Sequence, residues 1–133
     1  MRRIFDHVDL RVHRMEEARP FYCALLPLLG FTVRVEIEGW LQFEAAGDGA
    51  TEFFGLTEDR GHRPNRTRIA FWAESKERVD QIGAELKDIG ALNLEGPEFI
   101  DPSYYAVYFD DPSGNALEVV YRSSSFTDRR YIQ

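Results

Sequence analysis

Two stretches of this chain repeat one pattern. Asp6–Gly30 reads DHVDLRVHRMEEARPFYCALLPLLG and Thr67–Gly90 reads TRIAFWAESKERVDQIGAELKDIG. Each runs from an alternating segment through a polar break and an amphipathic stretch to a glycine. His7 and Arg68 stand 61 residues apart and the closing glycines 60 apart, so the copies keep step. With 133 residues, such a chain folds as one domain of two related halves, or as two very small modules sharing a core.

In the first copy, Phe5–Val12 places Val8, Leu10 and Val12 on one face and His7, Asp9 and Arg11 on the other, the pattern of a half-buried strand. Glu16–Leu29 carries Ala18, Phe21, Leu25 and Leu28 near helical spacing. Pro20 sits early in it, Pro27 predicts a kink or an end, and Gly30 closes it. Strands are expected at Phe31–Ile37, Trp40–Ala45 and Thr51–Leu56, separated by Glu38-Gly39 and the Gly47-Asp48-Gly49 turn. The second copy repeats the order. Arg68–Ala73 alternates, Ser75 is a candidate N-cap, and Val79, Ile82, Leu86 and Ile89 form one stripe that Gly90 stops. Strands at Ala91–Leu94, Tyr104–Phe109 and Ala116–Tyr121 follow, the last two joined by the Asp111-Pro112-Ser113-Gly114 turn.

The expected unit is therefore βαβββ, twice. The fold class is α+β, with modules at 1–60 and 61–122 in one compact domain and a tail, 123–133, that lacks periodicity. One helix covers one face of a sheet, so the modules are expected to pack with their sheets curving around a shared cleft. Alternation directs Val8, Leu10, Ile69, Phe71, Leu117 and Val119 toward the helices, and His7, Arg68 and Glu118 toward the cleft. Arg68, Ala70, Trp72, Tyr104 and Tyr108 share the cleft parity and suggest a pocket with aromatic walls. Taken singly, each of Trp72, Tyr104, Tyr108, Phe54 and Trp40 also fits ordinary sheet packing.

Composition removes other classes. The hydrophobic and aromatic fractions, 44% and 14%, exclude disorder, and no apolar run nears the roughly 20 residues that span a bilayer. The start, MRRIFDHVDL, has no apolar stretch of the kind a signal peptide needs. Cys23 is the single cysteine, so no intrachain disulfide forms and a cytoplasmic location is expected. A net charge of -7 argues against nucleic acid as a partner. RGHRPNRTR reads as a solvated linker, and His13 and His62 as loop residues. Gly47-Asp48-Gly49 lacks the helix start of a phosphate loop, and Ser123–Ser125 lack the His and Asp of a nucleophilic triad.

DHVDLRV, the following FYCALLPLLGF, RIAF and above all DDPSGNALEVV resemble the vicinal-oxygen-chelate superfamily: glyoxalase I, extradiol dioxygenases, fosfomycin resistance proteins and metal-free bleomycin-binding proteins. The resemblance spans roughly Phe5 to Arg122. It implies a metal ligand on the first and last strand of each module, which falls here on His7, Glu52, Arg68 and Glu118. It also implies one divalent ion (Zn, Ni, Mn or Fe), a small-molecule ligand and a homodimer. Arg68 departs from the pattern by standing where the family carries His. A guanidinium stays protonated and offers only donors, so it is no metal ligand. It is instead expected to bond the carboxylates and to replace the ion's charge.

Two readings of each residue follow. His7 is a ligand or general base, or a cleft imidazole bonded to Asp9 or Glu118. Glu118 is a ligand and the proton-moving catalytic carboxylate, or the partner of Arg68 in a salt bridge. Glu52 is a ligand or an exposed carboxylate. Two functions correspond to them. One is a lyase, isomerase or dioxygenase using a metal on His7, Glu52 and Glu118. The other is a metal-free binding or sequestering protein in which Arg68, Trp72, Tyr104 and Tyr108 hold an anionic or oxygen-rich ligand.

Overall fold

A computed structural model describes residues 3–124. The expected tail lies outside the described residues from Ser125 onward. The element order is β1 (His7–Val12), α1 (Met15–Leu28), β2 (Phe31–Ile37), β3 (Trp40–Ala45), β4 (Phe53–Glu58), β5 (Arg68–Trp72), α2 (Lys76–Leu86), β6 (Leu92–Asp101), β7 (Tyr104–Asp110) and β8 (Ala116–Arg122). The strands make two mixed sheets, ordered β1-β4-β3-β2 and β5-β8-β7-β6. In each, the first strand runs parallel to the last and the other pairings are antiparallel. This is the βαβββ unit repeated, an α+β fold.

Local chemistry explains the helix limits. The Met15 N–H at the start of α1 donates to Glu58 Oε2 at 2.9 Å, so a carboxylate from β4 satisfies an orphan donor that Arg14 leaves open. α1 runs through Pro20 and Pro27 to Leu28, ending one residue after the second proline. Ser75 Oγ accepts the Arg78 N–H at 3.0 Å, the expected cap of α2.

β6 is ten residues long and runs well past the expected Ala91–Leu94, through Gly96-Pro97 to Asp101. Its pairing with β7 shifts register across Gly96-Pro97. Gly96 has φ +88°, and a Cβ there would lie 2.8 Å from the Ala106 carbonyl oxygen. Only glycine fits that backbone at that approach.

The apolar faces of both sheets meet in one cluster. Phe21, Leu25 and Leu26 of α1, Phe54 and Leu56 of β4, Val79 and Ile82 of α2, and Leu117 and Val119 of β8 all belong to it. Phe54 and Phe71 lie 5.4 Å apart between ring centroids, and Phe21 and Phe109 6.4 Å, so aromatic contacts cross from one half to the other. Polar contacts cross as well. The Tyr22 hydroxyl donates to Asp111 at 2.6 Å, and Asn115 Nδ2 donates to the Arg11 carbonyl at 2.9 Å. The opposite sheet faces carry His7, Asp9 and Arg11 on β1, and Arg68, Ala70 and Trp72 on β5, all exposed. Among the described residues no helix is long and apolar enough to cross a membrane.

Candidate functional site

The predicted site residues fall into two places. The first is the face of the second sheet turned away from the shared core, where Arg68 and Trp72 are exposed and Glu118 and Val120 are buried. Glu118 pairs with Ala70 on one side and Tyr108 on the other, and Tyr104 lies on the same face of β7. Arg68, Trp72, Tyr104, Tyr108 and Glu118 therefore share one sheet face, as the alternation implied.

Within that group Glu118 is buried, 3% exposed, and accepts a hydrogen bond from the Tyr104 hydroxyl. Burial, followed by that bond to the carboxylate, pushes the Tyr104 phenol well above its ordinary range. Tyr108 is also raised, first by burial and then by the charge of Glu118, with a hydrogen bond involving Tyr104 and the charge of Arg68 pulling the other way. A buried carboxylate is thus stabilised by a phenolic donor rather than by a paired cation.

Arg68 does not bond the carboxylates as expected. Its guanidinium carbon lies 4.8 Å from the Tyr108 ring centroid, a cation–π contact, and the residue is exposed. Among the described residues it makes no ion pair, so neither Glu52 nor Glu118 neutralises it. A phenol face holds the group while its donors stay available.

The second place is a recess of about 340 Å³ where β1, β4 and β5 approach. Phe31, Phe54 and Phe71 line its interior, and His7, Glu52 and Trp72 line it from more exposed positions. His7 bonds neither Asp9 nor Glu118. Its Nδ1 lies 2.7 Å from Asp6 Oδ2, and its ring stacks on Phe53 at 4.4 Å with an interplanar angle of 3°. Asp9 instead accepts the Thr57 hydroxyl at 2.8 Å.

Glu52 precedes β4 and is exposed. His7 pairs with Phe53 and Asp9 with Gly55, whereas Arg68 pairs with Ala116 and Ala70 with Glu118. The register therefore makes Gly55 the counterpart of Glu118, and Glu52 has no equivalent role by symmetry. The sequence held a signal for this: the core pair Phe54 and Leu56 flanks Gly55 as Leu117 and Val119 flank Glu118.

Among the described residues no three His, Cys, Asp or Glu side chains come together as a metal-binding group. His7 and Glu52 line the recess but Glu118 does not, and the fourth position offers only guanidinium donors. Among the described residues, His7, Glu52, Arg68 and Glu118 do not form a donor set that fits a metal ion.

The backbone N–H of His13 donates to Ser113 Oγ, and His62 Nε2 lies 2.8 Å from Asn115 Oδ1. Sequence reasoning did not single out Asp111, which is fully buried. Its carboxylate accepts the Ser113 and Asn115 N–H groups, Asn115 Nδ2 and the Tyr22 hydroxyl. The DPSGN turn thus holds the halves together.

Comparison with known proteins accords with this architecture. No curated protein matched the chain. In solved structures the fold recurs in a glyoxalase/bleomycin resistance protein from Albidiferax ferrireducens, with 27% identity over 89% of this chain and 98% of that one and a TM-score of 0.72. It recurs also in the fosfomycin resistance protein FosX from Mesorhizobium loti, at 16% identity, 97% and 98% coverage and a TM-score of 0.68. A mutant of FosX from Listeria monocytogenes, complexed with Mn(II) and 1S,2S-dihydroxypropylphosphonic acid, gives 17% identity, full coverage of both chains and a TM-score of 0.67. A family model matches residues 4–119, and on that match the chain belongs to the glyoxalase/bleomycin resistance protein/dioxygenase superfamily.

Proposed function

We propose that this superfamily member binds a small anionic or oxygen-rich molecule on the face of β5, β7 and β8, without a metal ion on His7, Glu52 and Glu118. The observation that carries this reading is the state of Arg68: an exposed guanidinium, seated on Tyr108 and free of any ion pair among the described residues. Such a group is ready for a bidentate bond to a carboxylate, phosphonate or phosphate. Trp72 supplies an aromatic wall, and Glu118, buried and held by Tyr104, lies beneath that face.

The second reading is a metal-dependent lyase, isomerase or dioxygenase, with Glu118 as its catalytic carboxylate. It is favoured by the Mn(II) complex of the FosX relative. Calorimetric titration with Ni²⁺, Zn²⁺, Mn²⁺ and Fe²⁺ separates the two. The metal-free reading expects no stoichiometric binding to the natural chain. Arg68→His, which replaces donors by an imidazole on the face that carries Glu118, is expected to gain metal affinity. Tight binding by the natural chain that His7→Ala abolishes would overturn the metal-free reading.

A homodimer is part of the proposal. Val33, Val35 and Ile37 are 46%, 36% and 63% exposed. They pair with Glu44, Gln42 and Trp40, on the uncovered side of the first sheet. A partner covering this strip removes apolar area from water. Light scattering should give twice the chain mass, and Ile37→Asp should shift it toward the monomer.

A further inference from the structure

The recess between β1, β4 and β5 shares Ala70 and Trp72 of β5 with the site proposed above, whereas Arg68, Tyr104, Tyr108 and Glu118 do not line it. At about 340 Å³ it falls within the size range of small-molecule sites. Its interior is aromatic: Phe31, Phe54 and Phe71 contact one another with centroids 5.4 to 6.5 Å apart. Trp72, 60% exposed, adds an indole accessible from solvent.

The polar groups around this interior have one character. His7 is held beside a carboxylate, its Nδ1 2.7 Å from Asp6 Oδ2. Glu52 offers a carboxylate with no ion pair among the described residues. Asp6 offers a second carboxylate; Arg3 approaches it to 3.9 Å but does not line the recess. No lysine or arginine is among the lining residues. Acceptors and negative charge beside an aromatic interior suit a ligand with a ring and a cationic donor. They repel a ring bearing a carboxylate.

We propose that this recess is a second binding site, specific for an arylalkylamine. The ring enters among Phe31, Phe54, Phe71 and Trp72, and the ammonium faces the Glu52 carboxylate. Aromatic faces add cation–π attraction to the charge of Glu52.

Three probes of similar shape test this: 2-phenylethylamine, 2-phenylethanol and phenylacetate, each followed by calorimetry and by Trp72 fluorescence at pH 7. The amine is expected to bind more tightly than the alcohol, with phenylacetate weakest. Glu52→Gln should weaken the amine roughly three- to fivefold and leave the alcohol unchanged, and added salt should act in the same direction. Ala70→Trp, which fills the recess from an exposed strand position, should abolish binding of both. Absence of amine binding, phenylacetate binding as tightly as the amine, or amine binding insensitive to Glu52→Gln or Ala70→Trp would each overturn the proposal. So would weakening of the amine by Arg68→Ala, which would place the ligand beside Arg68 and Tyr108 instead of in the recess.

Discussion

At the scale of the residue, the second module keeps its acid by means of a phenol. Glu118 is buried with Tyr104 as its donor, so Tyr104→Phe leaves a desolvated carboxylate short of a partner. Urea denaturation at pH 7 should register a loss of about 1–3 kcal/mol. The loss should shrink in a Glu118→Gln background, where the acceptor no longer carries charge. The tyrosines also set an alkaline limit. The Tyr105 phenol donates to Asp80 at 2.5 Å, and that bond, with burial, pushes it up to about 12; Tyr22, Tyr104 and Tyr108 are raised as well. An unfolded tyrosine titrates near 10. Between those values the unfolded chain has lost protons that the folded chain keeps, so rising pH favours unfolding. Stability should be whole below about pH 10 and fall through about pH 12, less steeply in Tyr105→Phe; denaturation midpoints across that window measure it. His7 and Arg68 were legible as counterparts because each opens the edge strand of its repeat. The partners they take were not, because Asp6 and Tyr108 are chosen by side-chain direction, which alternation leaves open.

At the scale of the element, periodicity located α1 to within one residue at each end and α2 through its Ser75 cap. It fell short at β6, expected at Ala91–Leu94, where the strand runs on through Gly96-Pro97 to Asp101 with its register to β7 shifted. Gly96→Ala adds a Cβ 2.8 Å from a carbonyl oxygen at φ +88°, two penalties at one position. A loss of about 2 kcal/mol or more is expected in thermal or urea unfolding. The Asp111–Asn115 turn shows a different limit. Its residue types announced a tight hairpin, and the hairpin is there. Nothing in them announced that Asp111 also accepts from Tyr22 and that Asn115 donates to Arg11, both in the first half. Asp111→Ala deletes the acceptor of four donors in a buried setting. A cost of about 3 kcal/mol or more should appear, with Tyr22→Phe costing a fraction of it.

At the scale of the whole molecule, the duplication predicts two units but the packing argues for one. Each sheet has a single helix, and a unit of roughly 60 residues buries too small a fraction of its surface to be more than marginally stable alone. The apolar faces solve this by meeting: Phe54 neighbours Tyr22 and Phe31 within its own half and Phe71 in the other. Trp40 and Trp72 place one indole in each half, so indole fluorescence reads the halves separately in Trp72→Phe and Trp40→Phe chains. Both probes should unfold with coincident midpoints, since neither half retains a core once the other leaves. Phe54→Ala, which empties a buried ring site, should lower stability by about 3–5 kcal/mol and move both midpoints together. If the Trp72 transition held its midpoint while the Trp40 transition fell, the halves would be independent domains joined by a linker, and the contact between Phe54 and Phe71 would not be coupling them.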